Sequence, residues 1–168
     1  MMVAKEVTVM AKTIKTNVLR YLDAHKIPYE TREYEVDDEN YDGKLVAGKT
    51  GLDSAMIYKT LVLTGDGSHP LVCVIPVERE LDLKAVARAT GNKAVGMLPQ
   101  RELLALTGYQ RGGCSPIGMK KLFPTWIDEA AKALRTISVS AGARGCQVIL
   151  GVDALASCVN AKFAPLCR

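Results

Sequence analysis

Two apolar runs, 57–64 and 70–76, flank Gly65-Asp66-Gly67-Ser68, and this spacing constrains the fold more than any other stretch of the chain. Such runs read as strands, and a glycine-rich turn between them predicts an antiparallel hairpin with a longer loop. Alternation puts Ile57, Lys59, Leu61 and Leu63 on one face of the first strand. Tyr58, Thr60, Val62 and Thr64 take the other. A lysine therefore stands on the more apolar face. A buried ammonium must find a partner or shift its pKa. A lysine near a strand end can instead lay its stem along apolar surface and reach water. The pattern alone permits both readings of Lys59.

Around the hairpin, helices and strands are mixed. Ile14, Val18, Leu19 and Leu22 mark a helical stripe over 13–25. The stretch 29–34 alternates as a strand, and 37–43 is acidic and polar, a loop. A helical turn at 44–48 would end on its glycine, and Asp53 would cap a short turn into the hairpin. Residues 82–90 read as a helix with Leu83, Val86 and Ala87 as its apolar face and Gly91 as its stop. A short strand over 94–97 precedes a helix opened by Pro99 and running through Leu106. Further strands fall at 126–127, 136–140 and 147–150, with a helix near 128–134. Gly142 and Gly145 punctuate the turn before the last strand, and Asp153 caps a final helix through Val159. Without strict βαβ alternation, the expectation is an α+β domain, a mixed sheet or a partly closed barrel. Residues 1–11 read as a loosely ordered extension and 12–168 as one domain.

Composition narrows the chemistry. At 48% hydrophobic and 24% charged, the chain suits a globular core rather than a disordered one. Aromatics are 5%, too few for a row of stacked bases. A net charge of +4 permits a nucleic-acid partner without requiring one. Cys73, Cys114, Cys146, Cys158 and Cys167 are scattered and odd in number, which fits a reducing cytosol better than a disulfide framework. His25 and His69 are far apart, so zinc sites and Cys–His catalysis have little support. No apolar run reaches the ~20 residues of a membrane span.

The second informative stretch is Gly112-Gly113-Cys114-Ser115-Pro116-Ile117-Gly118, with Lys120-Lys121 behind it. Paired glycines allow positive φ and close backbone approach, so free amides there could hold a carbonyl oxygen or carboxylate. The same residues also make an ordinary tight turn. The spacing is no Walker or dinucleotide fingerprint. Ser140, before a glycine turn, can present its hydroxyl to a pocket or satisfy the turn itself. With no histidine near it in sequence, Ser140 is not read as a nucleophile. Cys114 reads as a small packing residue. Arg111, Lys120, Lys121 and Arg144 are either solvated charges or a basic rim for an RNA backbone.

Taken in order, Tyr58-Lys59-Thr60-Leu61, Leu81-Asp82-Leu83-Lys84, Thr107-Gly108-Tyr109, the glycine loop, Val139-Ser140-Ala141-Gly142 and Ala161-Lys162-Phe163-Ala164 resemble the YbaK/EbsC family of Cys-tRNA(Pro) deacylases. That family is related to the editing domain of bacterial prolyl-tRNA synthetases. The likeness implies a curled, barrel-like mixed sheet with helices around it. The resemblance implies trans-editing: hydrolysis of the ester joining a wrong amino acid to tRNA(Pro), without metal or cofactor. It implies Cys-tRNA(Pro) as substrate, with Ala-tRNA(Pro) deacylation or non-catalytic binding of tRNA or synthetase as alternatives. Prolyl-tRNA synthetase is the implied protein partner. By position, the essential lysine falls on Lys59, its neighbouring threonine on Thr60 and the pocket tyrosine on Tyr34. The glycine loop falls on Gly112 and Gly113, with Cys114 where relatives have isoleucine. The pocket serine falls on Ser140, and a polar position, often aspartate, on Gln147. The implied mechanism uses the substrate's own thiol as nucleophile, with the protein orienting the ester and stabilising the oxyanion.

Overall fold

The computed structural model describes residues 15–36 and 43–168. The expected extension, Ile14 of the first stripe and residues 37–42 of the acidic loop lie outside them. The hairpin forms as expected: β2 (Tyr58–Thr64) pairs antiparallel with β3 (Pro70–Pro76), Tyr58 opposite Pro76 and Thr64 opposite Pro70. Two parallel strands extend it, β5 (Thr125–Asp128) beside β3 and β8 (Lys162–Ala164) beside β5. On the other side β4 (Gly96–Met97) pairs with the end of β2. The five-stranded order is β4-β2-β3-β5-β8.

A second sheet has three antiparallel strands in the order β1-β7-β6: β1 (Tyr29–Glu33), β7 (Cys146–Gly151) and β6 (Thr136–Ser140). A parallel bridge between Ile57 and Ser138 sets β6 beside the start of β2. Among the described residues the strands form two sheets, and no barrel closes. The main core lies where the sheets meet. Tyr58, Val62, Val72, Val74 and Ile127 face Ile137, Val139 and Val148 there, beneath α1 (Asn17–Ala24) and α5 (Val152–Val159). The far face of the larger sheet is also buried: Leu63, Leu71, Cys73 and Ile75 pack on Val86 of α3 (Leu83–Thr90).

Four local expectations need correction. Gly48 does not end α2 (Lys44–Thr50); Gly51 does, in the left-handed region at φ 76°. Leu83 does not belong to the buried face of α3; Ala85, Val86 and Ala87 do, and Leu83 is exposed because it sits in the first turn beside the cap Asp82. The segment Glu129–Ala133 is a 3₁₀ turn rather than an α-helix, and α5 is capped by Gly151, with Asp153 inside its first turn. β8 carries too few residues for a strand signal and is set by pairing with β5.

Candidate active site

Alternation along β2 sends Tyr58 and Val62 into the main core and Leu61 and Leu63 toward α3. Lys59 shares the face of Leu61, half-buried, and lines a cleft of about 830 Å3. Among the described residues it makes no ion pair, so neither burial with a partner nor full exposure describes it. Its charge, with that of Arg79, lowers the pKa of Cys167, against the larger upward push of burial and Asp128. Thr60, on the opposite face, also lines the cleft. Its Oγ1 is out of contact with water and has no hydrogen-bond partner among the described residues. Natural proteins seldom leave a buried hydroxyl so, and a role toward a ligand is one of the recognised reasons.

The rest of the cleft wall comes from segments distant in sequence. α4 (Gln100–Thr107) ends on Gly108, and the chain then runs through the glycine loop. Gly112 takes φ 86° and lines the cleft, and its amide makes no hydrogen bond among the described residues. Gly113 does something different. Its N–H donates to the Gln110 carbonyl at 2.9 Å, which closes a turn. A Cβ there would stand 3.1 Å from Arg144 N and 3.2 Å from the Ala143 carbonyl carbon. Gly113 thus lets two backbones touch, while the Gly112 amide stays unbonded among the described residues.

The turn that touches Gly113 carries Ser140. Its Oγ accepts from Gly142 N at 3.1 Å, which leaves the hydroxyl hydrogen available to a ligand. Opposite it in register, Gln147 is nearly fully buried and its Oε1 accepts from Ser138 Oγ at 2.7 Å. Ser140, Gln147, Tyr34 and Cys114 all line the cleft. Tyr34 is held by its own amide, which donates to Gly145 O at 2.9 Å, and by packing near Val46, Ile57 and Val77.

Of the four basic candidates, Arg111 and Arg144 stand at the cleft. Arg144 Nε donates to Arg111 O at 2.8 Å, and Arg111 donates to Gln100 Oε1 at 3.1 Å. Lys120 reaches Ala105 O instead and Lys121 is exposed, both outside the cleft wall. Sequence reading missed Ser138 and Gln100. Ser138 shares the face of Ser140 two residues on, a signal that alternation carries; Gln100 gave none.

No protein thiol here is primed to attack. Burial pushes Cys114 up to about 12, only partly opposed by a hydrogen bond with Thr107. Burial pushes Cys73 up to about 12 and Cys146 up to about 11. A thiol must ionise to be nucleophilic, so these are packing residues near neutral pH. What the site offers is a half-buried ammonium, hydroxyls of Thr60 and Ser140, the Gln147 amide and a free backbone N–H. Groups of these kinds can orient a polar ligand and stabilise developing negative charge.

A polar cleft without an activated thiol suits a hydrolytic or a recognition domain, and comparison with known proteins gives the family. Residues 42–158 match the model of the aminoacyl-tRNA editing domain, and the chain belongs to that family. A protein of Enterococcus faecalis, EbsC, named as a Cys-tRNA(Pro)/Cys-tRNA(Cys) deacylase, is 47% identical over 90% of this chain and 93% of its own. A crystal structure described as a trans-editing enzyme for prolyl tRNA synthetase shares the fold with TM-score 0.78 at 20% identity, over 93% of this chain and 99% of that one. Another, of a hypothetical protein, superposes with TM-score 0.82 at 18% identity, over 91% of this chain and 100% of its own. Among the described residues, no helix is long and apolar enough to cross a membrane.

Proposed function

We propose that this protein hydrolyses Cys-tRNA(Pro) in trans, releasing cysteine and free tRNA(Pro). The observation that carries the reading is that Lys59, Thr60 with its unpartnered hydroxyl, Gly112 and Ser140, from segments distant in sequence, line one cleft. The 47% identity to a protein named as a Cys-tRNA deacylase supports the substrate class. The resemblance to the Cys-tRNA(Pro) deacylases implies that the nucleophile comes from the substrate, and the thiols of Cys73, Cys114 and Cys146, held protonated by burial, offer no competing one. The cysteinyl thiol attacks its own ester carbonyl, and the bond to the ribose oxygen breaks. The thiol proton ends on that oxygen, and water opens the resulting thiolactone to cysteine. Lys59 favours the thiolate and orients the ribose; Thr60 and Ser140 hold the polar end of the substrate; the Gly112 amide meets the oxyanion. Gln147 and Tyr34 shape the seat of the aminoacyl group. Arg111 and Arg144 face the phosphate backbone of the acceptor end, and prolyl-tRNA synthetase supplies tRNA selection.

The test is single-turnover release of labelled amino acid from Cys-tRNA(Pro), Ala-tRNA(Pro) and Pro-tRNA(Pro). Cysteine should leave selectively, and Lys59→Ala should slow it by about a hundredfold, the scale of a lost positioning contact. Preferential loss of alanine would move the protein to alanine editing with water as nucleophile. No release from any substrate would leave a binding module.

A further inference from the structure

Tyr109 directly follows Gly108, the residue that ends α4, and is 6% exposed. It does not line the cleft. Its hydroxyl donates to the Ile117 carbonyl oxygen at 2.6 Å, closing the base of the glycine loop. Its amide is held as well, donating to Thr107 Oγ1 at 3.0 Å. Two backbones press on this one phenol. A Cβ at Gly118 would stand 2.8 Å from its hydroxyl oxygen, and a Cβ at Gly142 would stand 3.1 Å from its ring. Both glycines take positive φ, 78° and 94°. Gly118 closes the loop that carries Gly112. Gly142 belongs to the other turn and donates its N–H to Ser140 Oγ.

The two segments also meet through Gly113 against Ala143 and Arg144, and through Arg144 Nε on Arg111 O. Tyr109 is the side chain wedged between both at their bases. Burial pushes its phenol up to about 12, so it remains a donor throughout the neutral range.

We propose that Tyr109 is a positioning residue for deacylation: its phenol sets the spacing between the Gly112 amide and the Ser140 hydroxyl. The inference rests on the function proposed above for its catalytic meaning, and on the contacts alone for its mechanical meaning. A displacement of about an ångström in such groups costs on the order of a hundredfold in rate.

Tyr109→Phe removes the hydroxyl and keeps the ring. Two readouts are followed: amide hydrogen exchange over 111–118 and 140–145, and steady-state deacylation of Cys-tRNA(Pro). Exchange should rise by about tenfold in both segments, as expected for one lost hydrogen bond, and stay unchanged in β3. kcat should fall between about tenfold and a hundredfold, with KM within a factor of about three. Tyr21→Phe is the matched control, because its hydroxyl meets Cys158 O at 3.5 Å, away from the cleft, and it should change neither readout. Gly142→Ala, which pushes on the ring from the other side, should reproduce the pattern if Tyr109→Phe folds poorly. Faster exchange confined to 111–118 would overturn the inference, as would an unchanged kcat in an active enzyme. If the wild-type protein releases no cysteine, the proposed function fails separately, and exchange in 140–145 still decides the mechanical link.

Discussion

The Thr60 hydroxyl gives the most direct test of the cleft. Its Oγ1 is removed from water and bonded to nothing among the described residues, yet Thr60 lies on the cleft wall in the middle of β2. Burying a hydroxyl without a partner costs about 1–3 kcal/mol in proteins. Valine has the same shape, lacks the hydroxyl and is a good strand residue. Thr60→Val should therefore stabilise the free protein by about 1–2 kcal/mol. At this chain length each kcal/mol moves the melting temperature by roughly 2–4 °C, so a rise of about 2–8 °C is expected. The same change should slow cysteine release from Cys-tRNA(Pro) by about tenfold to a hundredfold, the value of one hydrogen bond made to the reacting substrate. Urea unfolding with reductant, run beside single-turnover deacylation, measures both. A destabilised variant would mean that the hydroxyl is paired in the free protein. A stabilised variant with full activity would mean that the hydroxyl serves no ligand. Only stability gained together with activity lost fits a group kept for function.

Gly113→Ala must push two touching backbones apart by a few tenths of an ångström, because its Cβ would stand 3.1 Å from Arg144 N. A loss of about 1–3 kcal/mol in urea unfolding is expected. Gly48→Ala, with nothing within 4 Å and a helical position, should instead gain about 0.5–1 kcal/mol, and equal effects at both sites would contradict the close approach. Alkaline pH should weaken the fold through Cys73, which burial holds at about 12 against 9.0 for an ordinary thiol. The folded chain keeps that proton where the unfolded chain has lost it. The contribution is complete below about pH 9 and falls by roughly 1.4 kcal/mol per unit as pH rises toward 12. Comparing urea stability at pH 8.5 and 10.5 (chosen at about these values to bracket the onset) should show a smaller loss in Cys73→Val; identical losses would remove Cys73 as the cause.

Much of the architecture was legible because it is local. The β2–β3 hairpin follows from two apolar runs and one glycine turn, and its register matches the alternation of Lys59 and Thr60. Asp82 and Gly91 bound α3 by side-chain capping and a left-handed stop, both written in adjacent residues. The errors were also local, but decided from outside. Gly48 sits inside α2 because the helix continues until Gly51 supplies the left-handed stop. Leu83 is exposed because packing against Leu63 and Ile75 selects Val86, one turn further on. The curl of the sheet toward a barrel-like core was not legible, because it depends on how strands distant in sequence meet; among the described residues they form two sheets that meet at Ile57 and Ser138.

By itself the sequence determined the kind of chemistry available: a lysine in an apolar strand, paired glycines in a loop, two histidines far apart and cysteines without a framework. Residue type and spacing are enough for that, because ionisation, backbone freedom and hydrogen-bonding capacity belong to single residues and their neighbours. Only the tertiary structure brought positions 59, 112 and 140 to one cleft. It also divided the glycines, Gly113 spending its amide on Gln110 while the Gly112 amide stays unbonded among the described residues, and it turned Lys120 away to Ala105. Those outcomes depend on which backbone groups find partners and which surfaces approach within van der Waals contact. Both are properties of chain segments that meet only after folding.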